Sequence, residues 1–286
     1  MSLVEAQASR RANMDDARSG LRRYHLMAIV EYDGTEYLGF QIQRRGRTVQ
    51  GEIERALVQV TQHPTRIVGA GRTDAGVHAK GQVIHFVALW RHCLADLQRA
   101  LNAVLSQDVA LVELREAPPA FHARYSAFSR EYVYTIYNSA VRSPISQRYA
   151  CCYPKPLHVE AMDRACSCLL GTHDFLPFGW PPRGEGGHTV RTLYRARCWQ
   201  EGAFVYAHLE ADAFLRRMVR RIVGNLLLVG SGELSVEGFA GLLSLKDRRT
   251  PAVDAPAQGL CLVRVNYEQS LGETRVLENI RFLKDC

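Results

Sequence analysis

Residues 69–79 read GAGRTDAGVHA, and this stretch carries the strongest signal in the chain. One carboxylate, Asp74, follows one guanidinium, Arg72, by two positions within a run that contains three glycines. Glycine at this density predicts a loop with a strongly bent backbone, or one that a ligand can approach closely. An aspartate beside a positive charge is a candidate catalytic carboxylate, whereas the alternative interpretation is an ordinary surface loop.

The composition is that of a globular, basic protein. The chain has 286 residues, 47% of them hydrophobic, and a formal net charge of +7, enough for one large domain or two modest ones. A positive net charge is compatible with a polyanionic partner such as a nucleic acid. No apolar run approaches the ~20 residues of a membrane span, so we expect no membrane association. The first residues mix both charges and lack an apolar core, which predicts a loosely ordered leader rather than a signal peptide.

The sequence offers no recognisable metal or nucleotide motif. Its eight cysteines form no Cys-x-x-Cys pair and have no zinc-ligand spacing, so we expect no metal, and scattered thiols favour a reducing cytoplasm. Phosphate-binding loops ending in Gly-Lys-Ser or Gly-Lys-Thr are absent, and the glycines of 69–71 do not complete Gly-x-Gly-x-x-Gly. We therefore expect no nucleotide cofactor.

Hydrophobic periodicity divides the chain into two halves with similar content. Predicted strands cover 25–32, 83–89, 109–114, 131–138, 190–199, 204–211 and 260–267. Predicted helices cover 48–62, 95–105, 159–170 (capped by Gly171), 214–229 and 236–245. The break at Ala117-Pro118-Pro119 suggests two α+β domains. The resulting division is a leader (1–24), an N-terminal domain (25–117), a C-terminal domain (118–270), which includes a Gly/Pro-rich surface loop at 177–187, and an extension (271–286).

Positive charge is most organised on the helix predicted from Phe214. At 100° per residue, four of its arginines fall within an arc of roughly 140°: Arg216, Arg217, Arg220 and Arg221. This face is either solvated or a wall for an anion. The second interpretation is favoured because four guanidiniums with no intervening carboxylate repel one another unless an anion is present.

Two further features also have two interpretations each. Tyr132 and Tyr134 share one face of a predicted strand, where they form either part of the core or a platform on which a nucleobase stacks. Three arginines follow the aromatic residues of 37–40 and form either a polar loop or a phosphate contact: Arg44, Arg45 and Arg47.

Taken together, the motifs make the chain similar to the TruA-type tRNA pseudouridine synthases. The matching segments occur in order over about residues 25–267 and include the loop 69–79. The others are EYDGTEY (31–37), FHARYSA (121–127), REY (130–132), AFL with MVR (213–220), and KDR with APAQGL (246–260). Phe40 stands where the family often has tryptophan. The segment 178–192 resembles only some members.

The resemblance implies a fold, a site and a substrate. The fold would be α+β, with two α/β domains sharing a central, mainly antiparallel sheet and a basic cleft between them. Asp74 would be the catalytic aspartate, Arg72 and Arg220 would be basic groups around it and the flipped nucleotide, and Tyr132 would pack against the target uracil. The enzyme would act as a homodimer on uridine at positions 38 to 40 of the tRNA anticodon stem-loop, without metal or cofactor.

The chemistry leaves two roles open for Asp74. Isomerisation of uridine breaks the N-glycosidic bond and rejoins the base through carbon, so it needs no redox change. A carboxylate can attack the ribose as a nucleophile or remove a proton from it.

Three other classes of protein compete with this interpretation. A non-catalytic RNA-binding protein would share the basic surface but would not need Asp74. A glycoside hydrolase would need a second carboxylate, and the nearest acids, Glu52 and Glu54, are interpreted as solvated helix positions. A redox or metal enzyme lacks its ligands.

Overall fold

The computed structural model describes residues 20–181, 188–247, 250–251 and 254–267. Most of the predicted leader (1–24), part of the Gly/Pro-rich loop (177–187) and the whole predicted extension (271–286) lie outside the described residues. In the described part, no helix is long and apolar enough to cross a membrane.

The first half alternates strands and helices as predicted. Its elements are β1 (Arg22–Tyr32), α1 (Val49–Thr61), β2 (Val68–Gly69), β3 (His78–Trp90), α2 (Leu94–Val104) and β4 (Val109–Glu116). Thr48 caps α1, as predicted, by accepting a hydrogen bond from the backbone N–H of Gly51. The short strand β2 was not predicted.

The second half contains six strands and three α-helices among the described residues. They are β5 (Ala127–Asn138), β6 (Cys151–Tyr153), α3 (Val159–Ser167), β7 (Gly171–Asp174), β8 (Val190–Glu201), β9 (Phe204–Ala211), α4 (Met218–Gly230), α5 (Val236–Gly241) and β10 (Leu260–Tyr267). Gly171 begins a strand rather than capping a helix, because α3 has already ended at Ser167.

The helix predicted from Phe214 begins only at Met218, so the prediction of a four-arginine helix face is wrong. Arg217 adopts a left-handed conformation, with φ of 64°. Just before it, Arg216 exchanges two backbone hydrogen bonds with Trp180, of 2.9 and 3.2 Å. These bonds use backbone groups that a helix would need, so Arg216 and Arg217 precede α4 while Arg220 and Arg221 lie within it.

The strands form one mixed sheet in the order β4-β1-β3-β10-β5-β9-β8-β7, with β2 on β3 and β6 on β5. Every pairing is antiparallel except β3 with β10 and β5 with β6. The fold is therefore α+β with a large, mainly antiparallel sheet, as predicted. Strands on both sides of residue 118 belong to this sheet, and the division into two domains stays a prediction.

The helices of the second half pack on the sheet face that carries Tyr132 and Tyr134. Tyr134 pairs with Ala207, and Ala207 pairs with Cys198, so the three side chains share one face. Cys198 contacts Cys166 of α3 across that face, with 3.4 Å between the two sulfurs. This face therefore holds both the core and the predicted site.

The parallel contact between β3 and β10 joins the two halves of the sheet. His78 pairs with Cys261 and Ala79 with Leu262. Two residues further along β3, a Cβ placed on Gly81 would lie 2.4 Å from the carbonyl oxygen of Val263. Only glycine allows the two backbones to approach this closely.

We expect Gly81→Ala to destabilise the protein by about 2 kcal/mol or more, because the added methyl group forces β3 and β10 apart. The matched control is Gly241→Ala, since Gly241 ends a helix and has open space where its Cβ would lie. Alanine there should stabilise the protein by ~0.5 to 1 kcal/mol. Urea denaturation measures both, and equal midpoints for the two variants would contradict the prediction.

Candidate active site

The loop between β2 and β3 is held by hydrogen bonds along its length. Gln82 donates to the carbonyl of Gly71 at 2.8 Å, and the hydroxyl of Thr73 lies 2.8 Å from that of Tyr32. Gly76 has a φ of +76°, which permits the turn that closes the loop. The backbone N–H of Val77 then donates to the carbonyl of Asp74 at 3.2 Å. The glycine-rich stretch is thus a bent loop, as predicted, and hydrogen bonds to Tyr32 and Gln82 support it.

Asp74 projects from this loop towards Arg220 on α4. Nη1 of Arg220 lies 3.4 Å from Oδ2 of Asp74, and the two side chains are 17% and 27% exposed. Arg220 is itself oriented by Ala255, whose carbonyl accepts from Nε at 2.7 Å. The guanidinium therefore presents a fixed positive charge to one oxygen of Asp74.

Tyr132 lies in the same region, buried on β5. A Cβ placed on Gly71 of the loop would lie 3.8 Å from its hydroxyl oxygen. Burial raises the pKa of Tyr132; the charge of Arg130 opposes this shift and that of Asp74 adds to it. The ring of Phe214 meets Tyr132 edge to face at 5.1 Å. The structure therefore brings Asp74, Arg220 and Tyr132 together.

Arg72 is placed differently from the other three predicted residues. Its side chain is exposed, and within the described ranges the carboxylate of Asp74 pairs with Arg220. The charge next to Asp74 in space thus comes from a helix in the other half of the chain, rather than from its neighbour in the sequence.

Arg130 is a buried residue of the site that the sequence analysis missed. Within the described part of the chain, its guanidinium donates to four backbone carbonyls, those of Ala70, Arg124, Ala127 and Asp212. Burial lowers the pKa of Arg130, because desolvation disfavours the charged form. Arg130 lies one residue before the predicted strand 131–138 and two residues before Tyr132, so extending that strand would have placed the two side chains on one face.

Several of the arginines for which phosphate contact was one of two interpretations pair with carboxylates of this chain. Arg217 and Arg221 both pair with Asp254, at 3.2 and 2.9 Å, and both lie over the ring of Trp180. For these two arginines the compensating anion is therefore a carboxylate of the same chain. Arg47 likewise pairs with Asp108, at 2.6 Å.

The two glutamates of α1 are not solvated, contrary to the prediction. Glu52 is 8% exposed and accepts hydrogen bonds from Ser106 and Arg55. Glu54 accepts one from the backbone N–H of Ile67 at 3.1 Å. Both acids bind neighbouring segments to the helix. The prediction failed because it assigned both glutamates to the solvent-exposed face on the ground of their charge alone.

A cluster of polar side chains surrounds Asp33, whose Oδ1 lies 3.1 Å from Nδ1 of His78 at the end of the loop. Arg148 and Tyr149 donate to Oδ2 of Asp33 at 2.7 and 3.0 Å, and Thr35 donates to Oδ1. Burial opposes ionisation, but these hydrogen bonds outweigh it and lower the pKa of Asp33 to about 2. Since Arg148 and Tyr149 follow β5, the cluster is a second connection between the two halves.

The comparisons with known proteins agree with this architecture. A family model described as tRNA pseudouridine synthase matches residues 28–126 and 165–268. A protein named tRNA pseudouridine synthase A from Roseiflexus castenholzii is 46% identical over 245 residues, which cover 84% of this chain and 89% of that protein. Its namesake from Geobacillus kaustophilus is 41% identical over 244 residues, which cover 85% and 94%.

These matches define the chain as a pseudouridine synthase, a class of isomerases. The extent of the family match and of these relatives then settles the assignment. The chain belongs to the tRNA pseudouridine synthase family, and it is an isomerase.

We expect Asp33→Asn to lower the free energy of unfolding at pH 7 by on the order of 1 kcal/mol, allowing for solvent screening of Arg148. Because the folded-state pKa is depressed, this contribution is complete above the unfolded value of ~3.9 and is lost as the pH falls towards 2. The difference between variant and wild type should shrink by about half near pH 3. Urea denaturation at pH 7, 4 and 3 measures it.

The control for this experiment is Glu113→Gln, which removes an exposed carboxylate paired with Arg115. It should shift the midpoint little at any of these pH values. A difference between wild type and Asp33→Asn that stayed constant from pH 7 to pH 3 would show that the carboxylate charge of Asp33 is not what stabilises the fold.

Proposed function

We propose that this chain converts uridine to pseudouridine at positions 38 to 40 of the tRNA anticodon stem-loop, with Asp74 as its one catalytic group and with no cofactor. The observation that supports this most directly is the placement of Asp74 on a braced loop, 3.4 Å from Arg220 and next to Tyr132. The tRNA specificity is supported by the names of the relatives.

Asp74 acts on the ribose of the target uridine as nucleophile or base. Arg220 contacts Oδ2, so Oδ1 is the oxygen proposed to reach the nucleotide. Either role needs a group held within bonding distance of its target, and a loop fixed by its backbone supplies that positioning. The chemistry is redox-neutral and needs no group beyond the carboxylate.

Tyr132 packs against the uracil after the nucleotide leaves the helix. Extrusion of a stacked base costs a few kcal/mol, and contacts with the flipped base and its phosphates offset that cost. The ring of Tyr132 is supported at its side by Phe214, so it does not have to be ordered when RNA binds. Arg72, which is exposed, is proposed to contact RNA around the flipped nucleotide.

A non-catalytic RNA-binding protein of the same fold is the second candidate. It would use the same basic surface, yet it has no need for a carboxylate oriented by an arginine from the other half of the chain. A homodimer in the cytoplasm is also part of the proposal and is supported by the family resemblance.

We expect Asp74→Asn to abolish pseudouridine formation in tRNA while the affinity for tRNA stays within about threefold of wild type, because the amide keeps the shape but cannot act as nucleophile or base. The assay incubates unmodified tRNA transcripts with excess enzyme and maps pseudouridine at single-nucleotide resolution. Asp96→Asn, which changes an exposed aspartate on α2, is the control and should retain full activity.

Two results would contradict different parts of this proposal. Activity of Asp74→Asn comparable with wild type would exclude Asp74 as the catalyst. A wild-type protein that binds tRNA but forms no pseudouridine would favour the non-catalytic candidate, and product outside positions 38 to 40 would correct the substrate site alone.

We also expect Arg216→Gln to weaken tRNA binding and to reduce its salt dependence. Arg216 is exposed and follows by two residues Phe214, whose ring contacts Tyr132, and each lost phosphate contact reduces the steepness of log K against log salt by about 0.7 to 0.9. Arg99→Gln, at an exposed position of α2, is the matched control. Binding titrations at several salt concentrations give the slopes, and identical slopes for Arg216→Gln and wild type would place Arg216 outside the RNA interface.

A further inference from the structure

We propose that Tyr125, on a rigid turn beside the catalytic loop, is a stacking platform for an unpaired base of the RNA substrate next to the target uridine. This inference rests on the proposed function, because it assumes that the ligand of the site is RNA. It adds an RNA contact that neither Asp74 nor Tyr132, Arg72 or Arg220 supplies.

Tyr125 is the most exposed of the large aromatic residues in the described part of the chain, at 73%. Its ring is stacked against that of His122, with 4.4 Å between the centroids and 29° between the planes. A ring that is exposed and fixed by stacking on a neighbouring ring offers a surface on which a nucleobase can stack.

The turn that carries Tyr125 is much more constrained than an ordinary surface loop. Nδ1 of His122 accepts the backbone N–H groups of Arg124 and Tyr125, both at 3.2 Å. The backbone N–H and carbonyl of His122 both bond to Ser126, at 3.0 and 2.9 Å. Within the turn, the backbone N–H of Ala123 donates to Nδ1 of His85, and its carbonyl accepts a hydrogen bond from the hydroxyl of Tyr267. The ring is therefore ordered before any ligand binds, which reduces the entropy lost on binding.

The turn lies next to the catalytic loop. One nitrogen of Arg130, Nη2, donates both to the carbonyl of Arg124 and to that of Ala70. Two acceptors of one nitrogen lie within roughly 6 Å of each other, twice the length of a hydrogen bond. Ala70 precedes Arg72 by two residues and Asp74 by four, so the turn that carries Tyr125 lies beside the loop that carries the carboxylate.

The charge around the turn favours RNA over another partner. The guanidinium of Arg124 lies 5.5 Å from the centre of the Tyr125 ring, and the exposed Arg72 follows on the neighbouring loop. The segment 121–127, FHARYSA, contains no acidic residue. Aromatic rings alternating with guanidiniums are the arrangement by which proteins contact single-stranded nucleotides, through stacking and through phosphate.

The test compares Tyr125→Ala, Tyr125→Leu and Tyr125→Trp, all in the Asp74→Asn background so that the RNA is not converted. The ligand is an anticodon stem-loop RNA, and its dissociation constant is measured at one salt concentration. Loss of one stacked base should raise that constant roughly tenfold for alanine and for leucine, whereas tryptophan, which can stack, should restore the affinity. Tyr194→Ala, at another exposed tyrosine, is the control and should leave it unchanged.

The stacked nucleotide is then identified from the RNA side. A series of stem-loops, each with one abasic position, is bound to two proteins: Asp74→Asn alone, and Asp74→Asn combined with Tyr125→Ala. At the position that stacks on Tyr125, the protein substitution should cost no further affinity.

Three outcomes overturn the proposal: a loss below twofold for Tyr125→Ala, an equal loss for Tyr194→Ala, or losses that add at every abasic position. Failure of the wild-type protein to form pseudouridine would instead contradict the proposed function. The binding results would remain interpretable in that case, because they use an inactive protein.

Discussion

The parallel contact between β3 and β10 is the interaction on which the site depends. The loop that carries Asp74 leads directly into β3, and Tyr132 lies opposite Leu262 of β10. Leu262 in turn pairs with Ala79 of β3. One short parallel pairing therefore determines how far the carboxylate lies from the aromatic ring, and the absence of a side chain at Gly81 makes that approach possible.

Two arginines from the second half of the chain hold the loop, one through its backbone and the other through a side chain. Arg130 contacts its backbone at Ala70, and Arg220 contacts the side chain of Asp74. The guanidinium of Arg130 is buried and has no carboxylate among these contacts, so removing it from water is costly. Its hydrogen bonds to four backbone carbonyls offset that cost. These contacts fix the position of the loop, and the role proposed for Asp74 depends on such a fixed position.

Much of the fold could be predicted because its strands and helices have clear local patterns. The strand predictions for β9 and β10 match their bounds, and Thr48 caps α1 as its sequence suggests. The start of α4 could not be predicted, since it depends on a bridge to Trp180. The partner of Asp74 could not be predicted from spacing either, because Arg220 lies 146 residues away along the chain.

The charge of the arginines at 216–221 could not be predicted from the sequence either. Helical periodicity gives all four the same environment, whereas in the described part of the fold some of them pair with a carboxylate and one does not. Arg217 and Arg221 are paired with Asp254 and lie over Trp180, so much of their charge is already compensated. Arg216 is exposed, and no carboxylate partner is found for it among the described residues. Long-range attraction of RNA to this side of the site therefore depends on fewer charges than the sequence suggests. The paired arginines instead stabilise the segment from which Phe214 reaches Tyr132, and Arg216 is the arginine of this group that we propose contacts RNA.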